Sequence, residues 1–147
     1  MAHVTADSTL PTIRSYIGGA YVDSTSGERF DAVYPATNRT VCEVEQAGAA
    51  EVELAVASAT AGCAEWSVTP AIERSRILLR AVAIIRDRND ELAALDTLDT
   101  GKPIREARDI DVALAARHFY HHAGHAELRG EIAPGRGPWG VCGQIVP

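Results

Sequence analysis

Four histidines crowd one short stretch, RHFYHHAGHAE: His118, His121, His122 and His125. On a helix, His118 with His122 and His121 with His125 form i, i+4 pairs, and imidazoles so placed can share a zinc or nickel ion. The same spacing equally describes an exposed helix face with incidental histidines. A firm site wants a further ligand type from a second element, and Glu127 is the nearest carboxylate. The expectation is that these histidines hold no metal. A stand-alone helical module that binds metal or a protein partner through its His-rich helix is the alternative reading.

Cysteine is the next candidate for chemistry. Cys42, Cys63 and Cys142 are odd in number and far apart. They make no CxxC and no disulfide framework, which fits a reducing, cytoplasmic setting. A catalytic thiolate needs a helix N-terminus or a cationic neighbour to lower its pKa. Cys63 reads as mid-helix among alanines and Cys142 as part of an apolar strand. Cys42 sits beside Glu43, an acid that would raise its pKa. All three read as small buried hydrophobes, and no catalytic residue is assigned. LDTLDTGKP, residues 95–103, says more. Asp96 and Asp99 lie near a helix C-terminus, whose exposed carbonyls are already negative. A compensating cation is expected there, either Lys102 or a bound monovalent ion. GVCGQIVP, residues 140–147, is not a GxGxxG, which needs a strand, a glycine turn and a helix within one unit.

These residues need elements to position them. Gly18-Gly19, between Tyr16-Ile17 and Tyr21-Val22, is a two-residue hairpin signal, because glycine accepts the positive φ such turns demand. Residues 24–27 read as a turn, 30–34 as a strand stopped by Pro35, and 41–44 as another strand. Together, residues 16–45 are expected to form one small antiparallel set. Helices are expected near 49–66, 70–88, 90–99 and 103–127, packed together beside that set. The first carries Val52, Leu54, Ala55, Val56, Ala59 and Cys63 as an apolar face. The second starts at Thr69 as N-cap with Pro70 at the first helical position, and repeats Ile72, Ile77, Leu78, Val82 and Ile85. Gly101 and Pro103 end the third. The fourth has a possible break at 109–111. Residues 129–140 read as loop, and the last residues as a strand just begun.

Composition bounds the partners. The chain has 147 residues, 46% apolar and 23% charged, enough for a folded core. Its formal charge of −6 gives no basic field for nucleic acid. No apolar run is long enough for a membrane helix, and MAHVTADSTLPT lacks the pattern of a secretory signal.

Taken in order, ERSRILLRAVAIIRDRNDELAALDTLDTGKPIREA (73–107) and GVCGQIVP resemble the N-terminal part of the NAD(P)-dependent aldehyde dehydrogenases, most closely the bacterial betaine aldehyde dehydrogenases. YIGGAYVDSTSGERFDAVYPAT (16–37) resembles the opening of those proteins, with Tyr34 where Asn usually precedes PAT. The resemblance implies an α/β fold: small antiparallel strands and long helices, ending on the first strand of a Rossmann-like sheet. It divides the chain into a flexible tail, 1–15, and a partial domain, 16–147, with an incomplete cofactor-binding part. In the family a cysteine thiolate attacks an aldehyde, hydride passes to NAD or NADP, and a glutamate activates water to release the acid. Neither that cysteine nor that glutamate matches a residue here, so the chain is expected to be an inactive segment of a longer enzyme. The resemblance assigns Ile145, Val146 and Pro147 to the adenosine side of the cofactor. It assigns Asp99, with the carbonyls at Ala32 and Val33, to a potassium or sodium site. RGEIAPGRGPW is shorter than the hairpin with which the family reaches neighbouring subunits, so oligomerisation is expected to rest on exposed apolar surface or on segments outside this chain.

Overall fold

A computed structural model of the chain describes residue 5 and residues 7–146. Ser15–Ile17 (β1) and Ala20–Val22 (β2) pair antiparallel, Tyr16 opposite Tyr21. Gly18 and Gly19 take φ of 61° and 85° in the turn between them, the left-handed pair that matches the twist of a tight hairpin. Arg29–Tyr34 (β3) pairs antiparallel with Arg39–Glu45 (β4). In place of one antiparallel set, two separate two-stranded sheets therefore form. The register of β3 and β4 shifts between Ala32 and Val33, so that Val41 has no opposite residue. That bulge explains why consecutive residues Val41 and Cys42 are both buried, which strict alternation in a strand forbids.

The ordered part of the fold reaches back before Tyr16. Leu10 donates its N–H to the Val41 carbonyl, and Ile13 bonds along β4 with Glu43 and Glu45. A parallel bridge joins Ile13 to Val44. Residues 10–15, placed in a tail by the sequence reading, thus flank β4 and open β1.

The helices are Ala49–Val68 (α1), Ala71–Asp87 (α2), Asn89–Thr100 (α3), a single turn Ile104–Glu106 (α4), and Val112–Ile132 (α5). The break expected at 109–111 is a π turn, Ala107–Asp111, which carries the helix through without interruption. Its buried Ala107 packs with Ala93 and Val112. A π turn rotates the following helix relative to the preceding one at the cost of one wide hydrogen-bonded ring. At the far end α5 continues to Ile132, so loop begins at Ala133 rather than Arg129.

One further expectation is corrected. Thr69 does not cap α2; Pro70 occupies that position and makes no side-chain cap. The Thr69 hydroxyl instead donates back to the Glu65 carbonyl, closing α1. The apolar face of α1 is open: Val52, Leu54, Val56 and Trp66 are all exposed. Its contact is with β1, through smaller groups. A Cβ on Gly18 would lie 3.3 Å from Ser58 Oγ, so backbone, not a large side chain, meets the helix there.

The core is made of small residues and divided in two. One cluster joins Val41, Cys42 and Leu98, with Leu10, Ala32, Tyr34 and Val44 around it. The other joins Ala93, Ala107 and Val112, with Ile85 and Leu92. α2 and α5 make the most extensive helix–helix contact. Their buried residues Ser75, Val82, Ala116 and Ala123 are small enough to let the helix axes approach closely.

The strand expected at the end of the chain is not formed. Residues 141–146 have no strand pairing, and Ile145 is fully exposed. An extended segment becomes a strand only when a neighbour accepts its hydrogen bonds, and no described residue lies alongside to do so.

Candidate functional site

The C-terminal end of α3 is the best-built polar region. Gly101, at φ 76°, closes the helix, and its N–H donates to the Thr97 carbonyl. A Cβ there would come within 3.0 Å of Pro35 Cβ, so glycine lets the helix end dock against the turn that follows β3. One residue on, Lys102 Nζ lies 2.6 Å from Asp111 Oδ2 and 3.4 Å from Asp96 Oδ2. The Asp111 contact, more than Asp96, holds the ammonium pKa above its ordinary value. Lys102 thus supplies a cation to Asp96 near the end of α3, and it also ties α3 to the π turn. The Thr97 hydroxyl is buried with no hydrogen-bond partner among the described residues.

Of the residues assigned to a cation, Ala32 packs around the cluster that contains Leu98, so β3 and the end of α3 are neighbours. The Asp99 residue itself is exposed. Its charge reaches Cys42: burial first, then Asp99 and Asp31, push that thiol up. The direction is the expected one, but Glu43 is not its cause. No group of three or more His, Cys, Asp or Glu among the described residues is arranged to hold a metal ion.

The cysteines differ from one another. Cys42 is buried, Cys63 half-buried and Cys142 exposed, so Cys142 is not the core hydrophobe expected. It is exposed because its strand has no sheet. The histidines share the outer face of α5. The His121 and His125 rings are 4.2 Å apart, and the His121 and His122 rings 5.3 Å. His125 Nδ1 lies 3.1 Å from the His121 carbonyl, a hydrogen bond to its own helix. Repulsion from His125, then burial, His122 and His118, makes His121 harder to protonate.

Ile145 and Val146, assigned to the cofactor, are exposed; Pro147 lies outside the described residues. A dinucleotide needs a βαβ unit that brings a helix N-terminus to its pyrophosphate. Both sheets here are antiparallel hairpins. No βαβ unit is formed among the described residues.

Sequence reasoning missed Glu51. It is buried at the first turn of α1, where Oε2 accepts from the Gly48 N–H at 2.6 Å and Oε1 from the Thr25 N–H at 2.8 Å. These bonds, with Thr25 first, lower its pKa to about 2. The signal was present: a glutamate at the third helical position after a glycine N-cap is half of a capping box. What could not be read was the second bond, to a turn 26 residues away.

Small antiparallel hairpins, long helices and a glycine-terminated α3 docked on β3 define an α/β protein. Residues 21–147 match the model of the aldehyde dehydrogenase family, and the chain belongs to that family. Solved structures agree. HpcC from Thermus thermophilus is 39% identical, with a TM-score of 0.76, over 80% of this chain and 22% of its own. PnpE in complex with nicotinamide adenine dinucleotide is 38% identical, with a TM-score of 0.76, over 78% of this chain and 24% of its own. An indole-3-acetaldehyde dehydrogenase in apo form is 31% identical, with a TM-score of 0.75, over 78% of this chain and 27% of its own. The chain thus spans about a quarter of the length of the solved relatives it matches. No helix among the described residues is long and apolar enough to cross a membrane.

Proposed function

We propose that these residues serve the NAD(P)-linked oxidation of an aldehyde to a carboxylic acid, and that the 147 residues do not perform it alone. The family match over residues 21–147 carries the first part. NAD(P), when bound in such an enzyme, accepts a hydride. The relative PnpE is seen with that dinucleotide, which supports the cofactor class without separating NAD from NADP. The second part rests on the thiols and the last segment. Attack on an aldehyde needs a thiolate, an oxyanion donor and a base held within mutual reach. Here Cys42 is buried and harder to ionise, and Cys142 is exposed on an unpaired segment. Ile145, Val146 and Pro147 are proposed to line the adenosine side of the cofactor once their segment pairs with strands that these residues do not provide.

The finer parts follow the sequence resemblance. A substrate like betaine aldehyde and a cytoplasmic setting are proposed on that ground. Asp99 with the carbonyls of Ala32 and Val33 is proposed to bind potassium or sodium. The packing of Ala32 near Leu98 and the negative carbonyl end of α3 support that assignment. Association with further aldehyde dehydrogenase segments or other copies is proposed to use the exposed apolar helix faces.

Two experiments test the reading. A chimera carries residues 21–146 in place of the matching segment of HpcC from Thermus thermophilus. It is expected to fold and retain NAD-linked oxidation of the parent's aldehyde; a folded chimera with no activity overturns the role. The purified 147-residue chain, assayed with betaine aldehyde and simple aliphatic aldehydes, is expected to show no turnover and weak or no calorimetric NAD binding. Turnover abolished by Cys42→Ser, Cys63→Ser or Cys142→Ser would show that the chain is catalytic by itself.

A further inference from the structure

Beyond Ile132 the chain turns back. Ala133 donates its N–H to the Arg129 carbonyl and Arg136 donates to the Ala133 carbonyl. The turn leaves a groove of about 400 Å³ against the α1–α2 junction, with Trp66, Ser67, Arg74, Arg129, Arg136 and Pro138 on its walls. Its volume is within the range of small-molecule sites. Three guanidiniums line it and no carboxylate does.

The whole chain, by contrast, has a net charge of −6. Arg14, Arg29, Arg76, Arg88 and Arg108 each pair with a carboxylate. Among the described residues Arg74, Arg129 and Arg136 have no such ion pair. Two of the three are nonetheless held in place. Arg74 Nη1 donates to the Thr69 carbonyl at 2.5 Å and to that of Trp66 at 3.4 Å. Arg129 Nη2 donates to the Arg136 carbonyl at 2.5 Å. Each keeps further N–H groups for a ligand, because a guanidinium has five. Arg136 offers its whole fork. Beside them Trp66 is 42% exposed and forms part of the groove wall.

We propose that this groove binds a small molecule that joins an oxyanion, phosphate or carboxylate, to a planar ring. The guanidinium forks match the oxyanion in charge and bidentate geometry, and Trp66 supplies a face for the ring. None of these residues is assigned to the thiol chemistry, the cofactor or the cation, so the two stand or fall separately.

Trp66 also reports on the site. Trp139 is fully exposed, so Trp139→Phe leaves one indole without disturbing packing. Phenyl phosphate is expected to change the Trp66 emission saturably, inorganic phosphate to bind more weakly, and phenol not to bind at the same concentrations. Benzoate tests carboxylate as the anion; saturation by either aryl anion supports the site, and by neither overturns it. Arg136→Ala is expected to weaken phenyl phosphate binding about tenfold, since charge-assisted bonds are the strong ones, and Arg136→Lys to restore part of the loss. Arg129→Ala is a second variant, and circular dichroism should show unchanged helicity in both. Added salt should weaken binding. The proposal is overturned if both alanine variants bind as tightly as the parent, or if phenol binds as well as phenyl phosphate. Equal affinity for inorganic and phenyl phosphate overturns the ring contact with Trp66.

Discussion

Glu51 shows how much one side chain can organise. Its carboxylate accepts from the first turn of α1 and from Thr25, and so fastens the turn after β2 to the helix. Because its folded pKa is lowered from 4.5 to about 2, its contribution is present above the unfolded value. It is lost as pH falls through that window. Glu51→Gln is therefore expected to lower the melting temperature at about pH 7 and to flatten its dependence on pH between about 4.5 and 2; an unchanged acid limb would remove this role. Gly101→Ala meets two obstacles, a left-handed φ and Pro35 at 3.0 Å. A loss of about 1–3 kcal/mol in denaturant unfolding is expected from the backbone alone, with the Pro35 contact adding to it. Thr97→Val has the opposite sign. It removes a buried hydroxyl that has no partner among the described residues, so a gain of up to about 1 kcal/mol is expected in the same measurement.

At the scale of elements, the α3–π turn–α5 connection depends on Lys102. The ammonium reaches Asp111 and Asp96 from the segment between the two helices. Lys102→Met leaves two carboxylates near the negative end of α3, and faster amide hydrogen exchange in residues 96–111 is expected. Exchange unchanged from the parent would show that packing of Ala93, Ala107 and Val112 holds the junction without the charge. The mild exposure of this cluster, Lys102 about a third accessible, makes a local effect the right one to measure. The π turn itself was legible only as irregularity, because Arg108-Asp109-Ile110-Asp111 interrupts the apolar spacing without naming what replaces it.

For the whole molecule the balance is on the surface. Ile72, Ile84, Leu128, Ile132, Trp139 and Ile145 are among the large apolar side chains left exposed, several of them more than half accessible. The buried core is mostly alanine, valine and single larger residues. A surface of this kind favours contact with other apolar surface. Sedimentation of the purified chain is expected to show concentration-dependent association, with binding of a hydrophobic dye that falls as association proceeds. A monodisperse monomer without dye binding would contradict this.

The local elements were written in the sequence because their causes are local. Gly18-Gly19 sets a hairpin, and Gly101 and Pro103 stop a helix, whatever surrounds them; of the stripe expected on α2, Val82 is buried and Leu78 and Ile85 half-buried, while Ile72 and Ile77 are exposed. The blocks around LDTGKP were enough to point to the family. What lay beyond the sequence were decisions made between distant residues. The bulge that buries both Val41 and Cys42 depends on register with β3. The burial of Glu51 depends on Thr25. The final apolar segment is the clearest case. Its residues have every preference for a strand, but a strand is a relation between two segments, and only the tertiary structure could say whether a second one was there.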